Sequence, residues 1–386
     1  MHARLTRRSA LQWATLTGLT LIGLPATATR AAATRIRIAV VLDTSGSASV
    51  YGIPSLNGLQ LAVAQINAKG GIQGHPLELL VSDGGTNPAR VAALFHRYSQ
   101  DPRVAALVGP TLSSEAVKLD PIAQAAGLPV MAINNTVPGL TAIGNYIFRI
   151  ALGDAQIIPV VMQAAQARLR FRNVALLYDH VNAATVGERQ VFQSMATRLG
   201  LSIVATETYA TGAQDFSAQL GRIKAAKPDA ILVAALAQEG VLILKQRRRA
   251  GIAAGVHIIG ANGLNTPAVI AGAGAAAEGT IVGTAYNSGG TTPRNRRFIA
   301  AYTNRYHHAP DVFAAEGYDG LHILAAALHN AGATGDRHAV RAALAAIANV
   351  PVVIGSGGTF SFTAQREAKL AATVQIVRNG RFVTFS

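Results

Sequence analysis

From Arg35 onward, short apolar runs alternate with stretches whose apolar residues recur every three or four positions. That alternation predicts an α/β protein with largely parallel sheets. Residues 36–42 are an apolar first strand that ends at the polar loop Asp43-Thr44-Ser45-Gly46-Ser47. Leu56, Leu59, Val63 and Ile66 then fall at helical spacing, and Lys69-Gly70-Gly71 closes that helix with residues able to turn left-handed. Residues 76–82 form the next strand. Asn87-Pro88 opens a second helix with proline in its first turn, and Val91, Leu94, Phe95 and Tyr98 give it a buried side.

The chain is organised around what comes next. Residues 104–108 are apolar without interruption and are bounded by Asp101-Pro102 and Gly109-Pro110, the pattern of a strand buried on both faces. The loop Thr111-Leu112-Ser113-Ser114 leads into a helix with Ala116, Val117, Leu119, Ile122 and Ala123 as its apolar face; Ser113 or Ser114 is the expected N-cap. A strand feeding a helix start through small residues offers unpaired N–H groups and the positive end of the helix dipole, a place for an anion. A second polar loop, Asn134-Asn135-Thr136, directly follows the apolar run 128–133. Two such loops at the ends of successive strands make a crevice of the kind in which open α/β sheets bind ligands.

Around residues 146–150 the alternation restarts. Helices are expected at 157–169, 186–199, 216–225 and 240–250, and strands at 174–178, 202–208, 230–235 and 256–259. This half repeats the first in architecture, not residue by residue. Beyond 279–283 come helices at 294–306, 312–332 and 336–347, then strands at 359–362 and 373–378, with an Asn379-Gly380 hairpin turn.

Composition sharpens the picture. The chain has 386 residues, 50% hydrophobic and 14% charged, enough for two well-cored domains. Residues 1–33 read as an export signal: Arg4, Arg7 and Arg8 precede an apolar stretch from Ala10 to Leu24, followed by small residues. The stretch is too short and too threonine-rich for a membrane span. Thr6-Arg7-Arg8-Ser9-Ala10-Leu11 resembles a twin-arginine signal, and cleavage after Ala28 or Ala33 is expected. Without any cysteine there is no disulfide and no lipid-modified N-terminal Cys, so the expected product is a soluble periplasmic monomer with no stable membrane insertion after processing.

The formal charge is +15, and removing the signal takes four of the 34 basic side chains and none of the 19 acidic ones, leaving +11. The basic residues sit in separate groups near Arg170, Arg247 and Arg296, and aromatics are only 5% of the chain, so nucleic acid is not expected as a partner. No catalytic constellation stands out either. Ser113 lacks a Gly-x-Ser-x-Gly elbow, and adjacent His307-His308 offers no metal spacing. Gly272-Ala273-Gly274 has no strand ahead of it to make a dinucleotide loop. Neither cofactor nor metal is expected.

Taken in order, these segments resemble the branched-chain amino-acid-binding family of type I periplasmic binding proteins, the receptors of ABC importers. The resemblance runs from Ile36 to the C-terminus. It is most specific over residues 58–74, GLQLAVAQINAKGGIQG, and extends to Val108-Gly109-Pro110-Thr111-Leu112-Ser113-Ser114, to Asn134-Asn135-Thr136-Val137-Pro138-Gly139-Leu140-Thr141 and to Tyr178-Asp179. It implies two Rossmann-like lobes joined by three crossings, near 150–155, 283–287 and 356–361. One lobe would hold residues 34–154 plus 286–357 and the other 155–285 plus 358–386. It further implies a small-molecule ligand between the lobes and permease subunits as partners. The ligand carboxylate would rest on Ser113 and on the loop Asn134, Asn135 and Thr136, with Thr111, Leu112 and Ser114 also at the site, Tyr51 covering it and Phe313 forming an apolar wall.

The second lobe departs from the family pattern. Asn262 stands where leucine-binding relatives place a glutamate for the ligand ammonium, Ala184 where they place a tyrosine, and Leu236 at a position often aromatic. An ammonium sealed in a closed cleft without a carboxylate would cost on the order of ~3 kcal/mol or more. Asp43, Asp179, Glu239, Glu316 and Asp319 are candidate replacement acids. A carboxylate ligand without an ammonium, or a neutral amide, would also suit Asn134, Asn135 and Asn262.

Overall fold

The computed structural model describes residues 34–290, 292–333, 335–355 and 358–386. The expected export signal lies outside the described residues, as do positions 356 and 357 of the expected third crossing.

Strand and helix alternate as the sequence predicts. The first series is β1 (Ile36–Leu42), α1 (Ser49–Ala68), β2 (Leu77–Asp83), α2 (Pro88–Gln100), β3 (Val104–Val108), α3 (Ser113–Ala125), β4 (Val130–Ala132) and β5 (Ile147–Arg149). The second begins with α4 (Asp154–Leu169), β6 (Asn173–Asp179), α5 (Ala183–Arg198), β7 (Ser202–Tyr209) and α6 (Ser217–Ala225). It goes on through β8 (Ala230–Ala234), α7 (Ala237–Arg249), β9 (His257–Gly260), α8 (Pro267–Ala273) and β10 (Thr280–Thr284). The chain then adds α9 (Pro293–Tyr306), α10 (Val312–Asn330), α11 (Arg337–Ala345), β11 (Val350–Pro351), β12 (Thr359–Phe360), β13 (Thr373–Arg378) and β14 (Arg381–Thr384).

Capping chemistry sets several of these starts. Asn87 accepts the Arg90 N–H ahead of Pro88, Thr292 accepts the Asn295 N–H ahead of Pro293, and Asp311 accepts the Ala314 N–H. Each satisfies a first-turn donor that the helix itself leaves unpaired. The β13–β14 hairpin turns at Asn379 and Gly380, both with positive φ, as an Asn-Gly turn requires.

Five parallel strands form the first sheet in the order β2-β1-β3-β4-β5, and β3 is buried at every position. The second sheet repeats that order as β7-β6-β8-β9-β10 and adds β13 and β14 antiparallel at its far side. In each sheet the strand order reverses once, between β1 and β3 and between β6 and β8. The connecting loops at such a reversal leave on opposite faces, so a crevice opens at the strand C-termini.

Helices α1 and α10 pack with their backbones nearly touching. A Cβ on Gly58 would stand 2.1 Å from the Ala314 carbonyl oxygen, and one on Gly317 2.2 Å from that of Ser55. Only glycine permits this approach, and it carries the start of α10 to the crevice of the first sheet.

The third crossing comes later than residues 356–361, and the lobe boundary expected at 357/358 moves with it. After β12, which pairs with β11 in a separate two-stranded sheet, the chain is still bonded to the first sheet's side: Arg366 donates to the Ile147 and Thr141 carbonyls, and Glu367 is paired with Arg149. The chain joins the second sheet at Thr373. Local sequence pattern does not carry this, because the anchoring pair is more than 200 positions apart.

Candidate functional site

The two crevices face each other, and a small cavity lies between them. It is lined by Tyr51, Thr111, Leu112, Ser113, Asn134, Thr136 and Phe313 from the first sheet and its helices, and by Asn182, Ala184, Glu188, Leu236, Asn262 and Gly263 from the second. A larger cavity, lined by residues such as Pro267, Tyr286, Pro310 and Arg381, lies away from both strand reversals. The topology favours the smaller one, where loops from two reversals meet.

On the first side, donors remain unspent. Leu112, not Ser113 or Ser114, occupies the N-cap of α3, so Ser113 is its first helical residue. That leaves the Ser113 hydroxyl free of capping. Its oxygen accepts the Thr136 N–H at 3.2 Å, which ties the two polar loops together and keeps the hydroxyl proton available to a ligand. Asn134 is 7% exposed; its Oδ1 accepts the Ser55 hydroxyl at 2.9 Å, while its Nδ2 has no partner among the described residues. A buried, unpaired N–H beside a helix start is costly unless an acceptor arrives. Thr111 spans the strand reversal, its hydroxyl accepting the Asp43 N–H at 2.7 Å.

An acid stands behind this cradle. Glu115 accepts the Leu112 N–H at 3.2 Å, and its carboxyl is pushed up to about 8 by burial and by the charge of Asp43, against the opposing pull of that hydrogen bond. Protonated at neutral pH, it does not repel a carboxylate bound at the helix start.

Tyr51 joins the two sides. Its ring lies 4.9 Å from that of Phe313, and its hydroxyl donates to the Gly263 carbonyl at 3.1 Å and accepts the Ala237 N–H at 2.6 Å. The Ala237 N–H belongs to the first residue of α7, so this orphan donor is satisfied from across the cleft. Asn182 caps α5 by accepting the Ala184 N–H at 2.9 Å, and Ala184, Leu236 and Phe313 supply apolar wall.

Ten of the twelve residues expected at the site line the cavity. Ser114 and Asn135 do not. Asn135 is fully buried and donates to the Thr111 carbonyl at 3.4 Å, holding one polar loop against the other from behind. Sequence reasoning missed Asn182, Gly263 and, most consequentially, Glu188. None of the five replacement acids lines the cavity. Asp43 accepts the Thr86 N–H and Asp179 the Val181 N–H, Glu239 accepts the Gly212 N–H, Asp319 accepts those of Val353 and Ile354, and Glu316 is buried within α10. Glu188 was legible in principle: it sits four residues after Ala184 in α5, and positions i and i+4 share a helix face.

Glu188 is 2% exposed, and its Oε2 has no hydrogen-bond partner among the described residues. Burial raises its carboxyl well above the ordinary range, and the neighbouring Asp154 raises it further. Burial also brings Asp154 up to about 7, partly offset by the Thr136 hydroxyl and by Arg149. Among the described residues no group of three or more His, Asp or Glu side chains could hold a metal ion, and no helix is long and apolar enough to cross a membrane.

Two sheets of one strand order, facing each other across a cleft that a tyrosine bridges, define a type I periplasmic binding protein. The sequence profile of the periplasmic binding protein family matches residues 35–381, and the chain belongs to that family, in its branched-chain amino-acid-binding branch. The Leu/Ile/Val-binding protein BraC3 of Rhizobium johnstonii is 29% identical over 86% of this chain and 89% of its own length. Among solved structures, a leucine-binding protein LivK from Thermotoga maritima superposes with a TM-score of 0.84 at 26% identity, covering 91% of this chain and 98% of that one. LivJ of Streptococcus pneumoniae in complex with isoleucine gives 0.82 at 28% identity, covering 90% and 98%.

Proposed function

We propose that the chain is the extracytoplasmic substrate-binding protein of an ABC importer and that it takes a small carboxylate-bearing ligand, with an aliphatic amino acid as the preferred one. It carries the ligand to permease subunits and performs no chemistry on it. The observation that carries this reading is the pair of donors on one wall of the cavity: the Asn134 Nδ2, which has no partner among the described residues, and the Ser113 hydroxyl at the start of α3. A carboxylate is the acceptor such a wall requires. Relatives named for leucine, isoleucine and valine support the choice of an aliphatic amino acid, and the apolar surface of Ala184, Leu236 and Phe313 agrees with it.

On this reading residues 1–33 are removed on export, through the twin-arginine route that Arg7-Arg8 resembles, and the mature protein works as a periplasmic monomer. Its lobes are residues 34–154 with the segment from 286 to about 368, and 155–285 with the remainder. They close on the ligand by hinge motion.

One observation favours a second reading. Asn262 stands in the cavity wall where a glutamate would pair an ammonium, so a receptor or sensor for an organic acid, an amide or a urea-like ligand is the alternative. A thermal-shift screen of the processed protein against amino acids, monocarboxylates and amides separates the two, because a ligand that binds only the folded state raises the melting temperature. The first reading expects the largest shifts from alanine, valine, leucine or isoleucine; a screen led by acids or amides lacking an amino group would overturn it in favour of the second.

A further inference from the structure

The cavity has two chemically opposite walls. The one at α3 offers hydrogen-bond donors. On the other side Glu188 presents a carboxyl that is almost wholly buried, lines the cavity and leaves Oε2 without a partner among the described residues. The five ion pairs among the described residues do not include Glu188. Its charged neighbour, Asp154, is an acid as well. Arg149, the base whose charge acts on Asp154, is held elsewhere: its Nε and Nη2 meet Glu367, and its Nη1 donates to the Val137 carbonyl. A buried carboxyl with an acid beside it and no base is a costly arrangement in a closed protein. A cation arriving from the cavity would relieve it.

We propose that Glu188 receives the ammonium group of the bound ligand, in place of an acid at position 262, and that the site therefore selects α-amino acids over carboxylates that lack the amino group. The inference rests on the amino-acid reading above and deepens it. Two neighbouring features agree. Ala184 lies one helical turn before Glu188 on the same face of α5, so the small side chain leaves the approach to the carboxyl open. Asn262 faces the same cavity from β9's side of the sheet and contributes amide groups without charge. The ligand then spans from the donors at α3 to the acid on α5, with Tyr51, Leu236 and Phe313 around its aliphatic part.

Isothermal titration tests this with alanine, valine and leucine and their deamino counterparts propanoate, 3-methylbutanoate and 4-methylpentanoate, on wild type, Glu188→Gln and Glu188→Asp. The best amino acid should bind wild type more than tenfold tighter than its deamino counterpart. Glu188→Gln should erase most of that preference by weakening the amino acid more than tenfold while leaving the deamino acid within threefold. A purely structural role would weaken both alike. Glu188→Asp should recover part of the preference. Should Glu188→Gln fail to fold, the wild-type preference and the aspartate variant decide the matter.

An amino acid that binds Glu188→Gln as tightly as wild type would overturn the role of Glu188 and leave the amino-acid reading standing. Equal affinity of wild type for an amino acid and its deamino counterpart would overturn it too, and would favour the organic-acid receptor. If wild type binds none of the six compounds, the amino-acid reading itself fails and the role of Glu188 falls with it.

Discussion

The hydroxyl of Tyr51 accepts the N–H of Ala237 at 2.6 Å, so a side chain on the helix that follows β1 satisfies the first backbone donor of the helix that follows β8. The same hydroxyl donates to Gly263. A single phenol thus holds two ends of the second sheet's loops against the first, directly over the cavity. Removing it would leave a buried N–H unpaired whenever the cleft closes.

Tyr51→Phe is therefore expected to weaken ligand binding by about 1–3 kcal/mol, or roughly five- to 150-fold, through faster release. Stopped-flow dissociation of the best ligand from the screen checks this. The ring contact with Phe313 survives the change, so unfolding in the absence of ligand should move little.

Residues that line the cavity and residues that brace it should separate under mutation. Ser113→Ala removes the acceptor of the Thr136 N–H and a donor to the ligand, and is expected to cost about 1–3 kcal/mol of affinity. Asn135→Ala removes a fully buried amide that supports the Thr111 carbonyl, and is expected to cost about 1–3 kcal/mol of folding stability. Ser114→Ala should leave affinity within threefold. Titration calorimetry and urea unfolding of the three variants give both quantities.

Several buried carboxyls make stability depend on pH. The carboxyls of Glu115, Asp154 and Asp319 are raised to about 8, 7 and 7, in each case mainly by burial. A group whose folded-state value lies above its unfolded value holds its proton more firmly in the folded chain. Between about pH 4 and pH 8 the folded state then binds more protons than the unfolded one, so stability falls as pH rises. Urea unfolding of the ligand-free protein is expected to show higher stability at pH 5 than at pH 8. Glu115→Gln keeps an acceptor for the Leu112 N–H and removes the titration. It should stabilise the protein at pH 8 by roughly 1–3 kcal/mol and change little at pH 4.5.

Much of the architecture was legible because burial on both faces writes itself into the chain. β3 and β8 are five-residue apolar runs in the sequence and fully buried strands in the structure. The polar loops after β3 and β4 could be read as a crevice from their position alone. What stayed hidden depends on long-range contacts. Nothing local marks residues 359–368 as part of the first sheet's side, since the Arg149–Glu367 pair that fixes them joins distant segments. The cap of α3 falls on Leu112, ahead of both serines expected there, and the Ser113 hydroxyl meets the Thr136 N–H rather than its own helix. Glu188 is not among the acids the sequence brings forward, of which Asp43, Asp179, Glu239 and Asp319 hold backbone N–H groups; its own place on the cavity follows from the helix face it shares with Ala184.

The most direct test of the account titrates the processed protein and its Asn134→Ala variant side by side with alanine, valine, leucine and isoleucine. Asn134 offers a cavity-lining amide group whose buried Nδ2 has no partner among the described residues. Wild type is expected to bind at least one of the four saturably at one site per chain, and the variant to lose at least tenfold in affinity for it while unfolding within a few degrees of wild type. Saturable binding of equal strength by both proteins would contradict the assignment of the carboxylate cradle, and absence of saturable binding of all four to wild type would contradict the function.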